Sequence, residues 1–223
     1  MNQTKMTVKI YEPLLKSFED QMDQLCIKRD AFLNHMIKIE TPYLAGELDG
    51  RRLSVKARRY ISGRLKKMGT KTVNLVVDRE TADALNAVVE TSNIVRDAFI
   101  NRLVMFLRSS DSLLRFYDLP NFVVRSEFES WYEDMPTSPL KAMESVFNDP
   151  LYYLRIAAEE RLDSGLYMLG LPERFSGLLI HLDDHSVPGT KEYEELDLLL
   201  ELDRTETEAF TKKSTNLTNG KGA

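Results

Sequence analysis

Apolar residues alternate with outward candidates at two places in the chain, 67 positions apart. Met6, Val8 and Ile10 are interleaved with Lys5, Thr7 and Lys9. Val73, Leu75 and Val77 are interleaved with Thr72, Asn74 and Val76. A period of two puts each set on its own face and predicts a short, half-buried strand. A helical pattern follows each strand. Leu14, Leu15, Phe18, Met22 and Leu25 recur at three- and four-residue spacing in the first copy. Ala82, Leu85, Val88 and Val89 do so in the second, behind Asp78, a residue type that caps helices well. The pattern breaks at Leu25–Cys26 and at Ser92–Asn93. A second helix then begins, with Phe32, Leu33, Met36 and Ile37 on one side in the first copy.

The second helices are copies of one another. Residues 27–37, IKRDAFLNHMI, match residues 94–104, IVRDAFINRLV, at six of eleven positions. Leu33/Ile100, Met36/Leu103 and Ile37/Val104 are conservative differences. Unrelated segments of this length would share roughly one residue. Each copy is thus strand, helix, turn, helix. It is too small to bury its own apolar faces, and a lone strand needs a partner. The simplest solution pairs strand 5–10 with strand 72–77, antiparallel, over four interlocked helices. The fold expected is mainly α with a two-stranded antiparallel β-ribbon.

This pattern resembles the ribbon-helix-helix superfamily of MetJ and Arc, DNA-binding proteins that are normally dimers of identical chains. With both halves in one chain, the arrangement is similar to TraY of conjugative plasmids. The resemblance covers residues 4–40 and 71–107, roughly a third of the chain. It rests on the double match, on the spacing of 17 from Ile10 to Ile27 and from Val77 to Ile94, and on Arg29 and Arg96 near the start of the second helices. The resemblance implies that the ribbon enters the DNA major groove and places base contacts on Lys5, Thr7, Lys9, Thr72, Asn74 and Val76. The alternative is a solvated ribbon face. The two strands differ at every outward position, so a fused ribbon is expected to meet an asymmetric half-site. The resemblance also implies phosphate contacts at the start of the second helices, from Lys28, Arg29 and Arg96. There the chain departs from the family, which often has Ser at the N-cap where Lys28 and Val95 stand. Asp30 and Asp97 in the first turn would favour the helix dipole but repel a phosphate. Arg29 and Arg96 pairing with carboxylates inside the fold is the alternative.

Charge adds a second candidate surface. The formal net charge is −5, which argues against a nucleic-acid binder until it is divided. Residues 1–110 hold 19 Lys+Arg against 13 Asp+Glu, and residues 111–223 hold 11 against 22. From Gly50 to Val77 there are nine basic residues and no acidic one. Leu53, Ala57, Tyr60, Ile61, Leu65 and Met68 fall at helical spacing within that stretch, so residues 50–70 predict a basic amphipathic helix connecting the repeats. Its candidate phosphate contacts are Arg51, Arg52, Lys56, Arg58 and Arg59. A membrane-surface segment, or a face turned to solvent or to the acidic half, are the alternatives.

Composition narrows the class. Apolar residues make up 43% and charged residues 29%, the balance of a globular protein. No apolar run approaches the roughly 20 residues that cross a bilayer, and no apolar core follows the N-terminus, so a cytoplasmic, nucleoid-associated protein with no membrane partner is expected. One Cys excludes a disulfide framework and a Cys-based zinc cluster. His181 and His185 flank Asp183 and Asp184 without a third ligand. Glu159 and Glu160, beside Arg155 and Arg161, belong to a solvated face. No nucleophile motif or phosphate loop is present, so neither an enzyme nor a cofactor is expected.

The organisation expected is residues 1–110 as the DNA-binding unit, 111–190 as a mostly helical C-terminal domain, and 191–223 as an acidic segment with a disordered tail. Helix starts are predicted at Ser138-Pro139 and Asp149-Pro150. The aromatics Phe116, Tyr117, Phe122, Phe128, Trp131, Tyr132, Phe147, Tyr152 and Tyr153 belong to a helical core or to an interface. Leu196, Leu198, Leu199, Leu200 and Leu202 among acidic residues predict a short docking helix. The function expected is a sequence-specific transcriptional regulator that contacts double-stranded DNA. Homo-oligomers on adjacent half-sites, or a protein partner for the acidic half, would accompany it. An accessory protein of plasmid transfer or partition, an antitoxin-type repressor, and a scaffold that binds no DNA are the alternatives.

Overall fold

In the computed structural model, residues 2–119, 137–199 and 201 are described. The first repeat forms β1 (Gln3–Tyr11), α1 (Glu12–Gln24) and α2 (Arg29–Glu47). The connector forms α3 (Val55–Lys67), and the second repeat forms β2 (Thr70–Asp78), α4 (Arg79–Thr91) and α5 (Arg96–Leu107). The strands pair antiparallel with each other, with Gln3 opposite Asp78 and Tyr11 opposite Thr70. Thr7 faces Asn74, which the repeat offset of 67 makes its own equivalent. That pair therefore marks a pseudo-two-fold axis through the ribbon.

Alternation decides which face is buried. Met6, Val8, Ile10, Leu75 and Val77 lie in the core beneath the ribbon, with Leu15, Phe18, Leu33, Met36 and Ile37 of the first repeat. Leu85, Ala98, Phe99, Ile100 and Leu103 of the second repeat complete it. Both repeats turn between their helices at a left-handed residue, Cys26 (φ 56°) and Asn93 (φ 54°). Asn tolerates this conformation better than Cys does. In α3 the predicted stripe is buried at Ala57, Ile61 and Leu65, and Leu53 is buried just before the helix. The helix is shorter than the basic stretch: Ser54 caps it by accepting from the Ala57 backbone N–H at 3.0 Å, so Arg51 and Arg52 precede it.

The second half continues as α6 (Asp111–Phe116), α7 (Pro139–Asn148) and α8 (Tyr152–Leu162). Helix α7 starts at Ser138-Pro139 as predicted, while α8 starts at Tyr152, two residues past Pro150. Beyond Leu162 the expectation of helix is not met. Residues 163–190 are irregular except for short 3-10 turns at Glu173–Leu178 and Asp184–Ser186. His181 is accordingly not on a helix, and His185 sits in a 3-10 turn. Residues 191–199 are helical again. Phe122, Phe128, Trp131, Tyr132, Leu200, Leu202 and the tail lie outside the described residues. No helix of the described residues is long and apolar enough to cross a membrane.

One core runs from Met6 to Val187, across the boundary expected near residue 110. The turn at Glu173–Leu178 lies against α3 so closely that a Cβ on Gly177 would sit 2.7 Å from the Leu65 backbone nitrogen. Buried polar groups complete the attachment. Arg102, fully buried, donates to the carbonyls of Leu166 (2.9 and 2.6 Å) and Leu169 (2.5 Å). Burial lowers its pKa to about 10, so it stays charged at neutral pH. Its repeat equivalent, His35, meets the carbonyls of Phe147 (3.1 Å) and Asn148 (3.2 Å). The carboxylate of Glu40 pairs with Arg155 and accepts from the Tyr167 hydroxyl at 2.8 Å. Glu47 accepts from the backbone N–H groups of Tyr167 (2.7 Å) and Met168 (3.0 Å).

Burial raises the carboxyls of both Glu40 and Glu47 above the ordinary glutamate value, against these favourable partners. A carboxyl whose folded pKa exceeds its unfolded one contributes stability that is full below the unfolded value and is lost as pH rises through the folded value. As pH rises above the ordinary glutamate value of 4.5 the two groups should therefore make stability fall. Glu47→Gln keeps an oxygen acceptor but cannot ionise. Urea unfolding from pH 4 to 7 should show this variant gaining on the wild type as pH rises; a constant difference would contradict the assignment.

Candidate nucleic-acid interface

A two-stranded ribbon has two open edges, and every second backbone group on each strand must find a partner outside the ladder. The repeated polar residues of α2 and α5 supply those partners, each repeat serving the strand of the other. Asp30 accepts from the Val76 backbone N–H at 3.0 Å, and Asp97 accepts from that of Lys9. Asn34 accepts from the Asp78 backbone N–H at 2.8 Å, and Asn101 accepts from that of Tyr11 at 2.7 Å. The Asn101 amide also donates to the Lys9 carbonyl at 2.7 Å. Arg29 reaches the Asn74 carbonyl at 3.4 Å, and Arg96 the Thr7 carbonyl at 2.8 Å. Arginine, aspartate and asparagine recur in the two copies because two equivalent edges are closed in the same way.

These bonds fix where the outward residues stand. Lys5, Thr7, Lys9, Thr72 and Asn74 are exposed, and Val76 is half-buried. Lys5 is opposite Val76 and Lys9 opposite Thr72, so all six share one patch centred on Thr7 and Asn74. The Thr7 hydroxyl donates to the Asn74 side-chain carbonyl at 2.8 Å, which leaves the Asn74 amide nitrogen as a donor. Both lysines come from β1, so charge is lopsided about the pseudo-axis.

The starts of α2 and α5 flank the middle of the ribbon, one on each edge, because Arg29 and Arg96 meet the two central residues. Neither start is capped by a side chain. The arginines are committed within the fold. Arg29 also pairs with Glu19 (2.5 Å) and Asp30 (2.8 Å), and Arg96 also donates to Asn86 at 3.4 Å. Asp30 and Asp97 stand in the first turns, as expected, and also accept from the strand backbones. Burial raises the Asp97 carboxyl above its ordinary value, against the Lys9 N–H and the charge of Arg96. Lys28 is exposed beside the start of α2.

The connector joins this surface on one flank only. Arg58 donates to the Asn93 side-chain carbonyl at 2.7 Å, three residues before α5 begins at Arg96. Arg52 donates to the carbonyls of Glu90 (3.0 Å) and Thr91, at the negative end of the α4 dipole. Arg51, Lys56 and Arg59 are exposed without a side-chain partner among the described residues. Further along, Arg64 turns to the second half, donating to the Ser176 hydroxyl (2.6 Å) and the Glu173 carbonyl (3.1 Å). The other flank has α7 beside α2, where Phe147 meets Phe32 edge-on with centroids 6.3 Å apart.

The fully buried Asn101 holds both an N–H and a carbonyl of β1. Asn101→Ala removes both hydrogen bonds to the β1 edge and should therefore cost about 1–3 kcal/mol. Equilibrium unfolding checks the magnitude, and faster amide exchange at Tyr11 checks the location; unchanged protection at Tyr11 would refute the edge role.

Comparison with protein-family models, curated proteins and solved structures gives no match to this chain.

Proposed function

We propose that residues 4–107 are a tandem ribbon-helix-helix module and that the protein is a sequence-specific regulator binding double-stranded DNA. The observation that carries this reading is the exposed outward face of the ribbon, centred on Thr7 and Asn74, with an uncapped helix start on each edge. A ribbon of this width fits the major groove. Lys5 and Lys9 then donate to guanine O6 or N7, the Asn74 amide nitrogen donates to a base acceptor, and Val76 touches a thymine methyl. The hydrogen bond from Thr7 favours a donor role for Asn74 over two-pronged pairing with adenine. The N–H groups of the first turns of α2 and α5, with Lys28, hold phosphates. Arg29 and Arg96 act by placing those turns against the ribbon. On the α5 flank Lys56, Arg58 and Arg59 extend the phosphate track. Because both the ribbon and its flanks are unequal, one chain takes an asymmetric half-site.

Replacing Lys9 and Asn74 together by Ala should relax discrimination at one or two base pairs, at about 1–3 kcal/mol each. Competition between the selected duplex and a scrambled one measures this, and unchanged specificity would exclude the ribbon as the base-contacting element. Replacing Lys56, Arg58 and Arg59 by Gln should act differently. Each lost phosphate contact removes about 0.9 from the log–log salt slope, so the slope should flatten by roughly 2–3 with base preference kept. A folded variant with the wild-type slope would place that charge away from DNA.

A further inference from the structure

The helix at residues 191–199 presents leucines that the described residues leave uncovered: Leu196, Leu198 and Leu199 are 39%, 59% and 62% exposed. Its start is nevertheless held firmly. Thr190, 2% exposed, donates to the carbonyls of Asp184 (2.7 Å) and Val187 (2.9 Å) and accepts from the Tyr193 backbone N–H at 3.1 Å. Asp184 in turn accepts from the Ser54 hydroxyl at the start of α3. On the helix, Glu192, Glu195, Leu196 and Leu199 fall on one face at three- and four-residue spacing. Glu194 and Asp197 add further negative charge, and Lys191, paired with Glu195 at 3.3 Å, is the one cation of residues 191–199.

A surface of the opposite character lies between the end of α2 and α4. It is a groove of about 400 Å³ with Ala45, Leu48, Ala87 and Val88 in its lining and Arg51 and Arg52 at the same opening. Asp49 is its one carboxylate. Lys56, Arg58 and Arg59 are exposed just beyond it in sequence, with no acidic residue from Gly50 to Val77.

We propose that this groove receives the acidic, leucine-bearing helix 191–199 of a second copy of the chain. Leu196 and Leu199 enter between α2 and α4, while Glu192 and Glu195 meet Arg51 and Arg52. Apolar surface is removed from water on both partners, and the excess charges are of opposite sign. Each chain carries both the helix and the groove, so two copies make the contact twice about a two-fold axis and the assembly closes as a dimer. The contact needs no DNA, and it stands or falls independently of the ribbon's function. Where the ribbon does bind DNA, the dimer supplies two ribbons for adjacent half-sites and gives Arg51 and Arg52 a role at the interface.

The test is sedimentation of the full chain without DNA. The wild type should dimerise in the micromolar range. Arg51→Glu/Arg52→Glu and Glu192→Lys/Glu195→Lys should each lose the dimer while keeping the wild-type circular dichroism and unfolding midpoint. An equimolar mixture of the two variants should recover a dimer, because it restores one native contact and creates one of reversed sign. If removing Arg52 from the Glu90 and Thr91 carbonyls unfolds the first variant, Leu196→Ser/Leu199→Ser, altered only at exposed positions, should lose the dimer instead. A monomeric wild type, variants that dimerise like the wild type, or a mixture that stays monomeric would overturn the proposal. Helices seated on their own chain would produce the first of these outcomes.

Discussion

The pairing of β1 with β2 is the constraint on which the remaining structure depends. Each repeat has a single strand, and a strand with both edges open carries a row of unsatisfied backbone groups. Antiparallel pairing satisfies the inner edges and brings the two repeats together about Thr7 and Asn74. The outer edges are then closed by Asp30, Asn34, Asp97 and Asn101, from helices of the opposite repeat. The same pairing puts every second side chain into the core, so a slip of one residue would expose Met6, Val8 and Ile10 and bury Lys5, Thr7 and Lys9. Register, core and outward face are set together.

The pseudo-symmetry ends at the surface. Lys5 and Lys9 on β1 have Thr72 and Val76 as repeat equivalents, so the outward face of one strand is cationic and that of the other is not. Helix α3 lies beside the start of α5, and α7 lies beside α2. Equivalent positions have even been used for different attachments, with His35 meeting the end of α7 and Arg102 the loop at Leu166–Leu169. Because the two repeats differ in sequence within one chain, each half takes on its own neighbours, which two identical repeats would not do.

Much of this was legible in the sequence because it is local or repeated. Alternation over 5–10 and 72–77 located the strands, and the offset of 67 paired them. The apolar stripe at Ala57, Ile61 and Leu65 located the buried side of α3. The roles of Asp30, Asp97, Asn34 and Asn101 were missed, although their recurrence was visible. Their partners lie 44 or more residues away, and only the edges of a paired ribbon explain them. Glu40, Glu47 and Arg102 give no periodic signal, since their partners are separated from them by 64 to 127 residues. The irregular course of 163–190 escaped for a related reason: it is held by tertiary bonds from Glu47, Arg64 and Arg102, which need no helix period.

The central claim is that the outward face of the ribbon is the surface that meets DNA. Backbone amide resonances of the full chain, followed during titration with a duplex selected for tight binding, test it most directly. The account predicts shifts concentrated at residues 3–10 and 71–78 and in the first turns of α2 and α5, with the core of the second half little changed. Shifts confined to residues 137–199, with the ribbon amides unmoved, would contradict it.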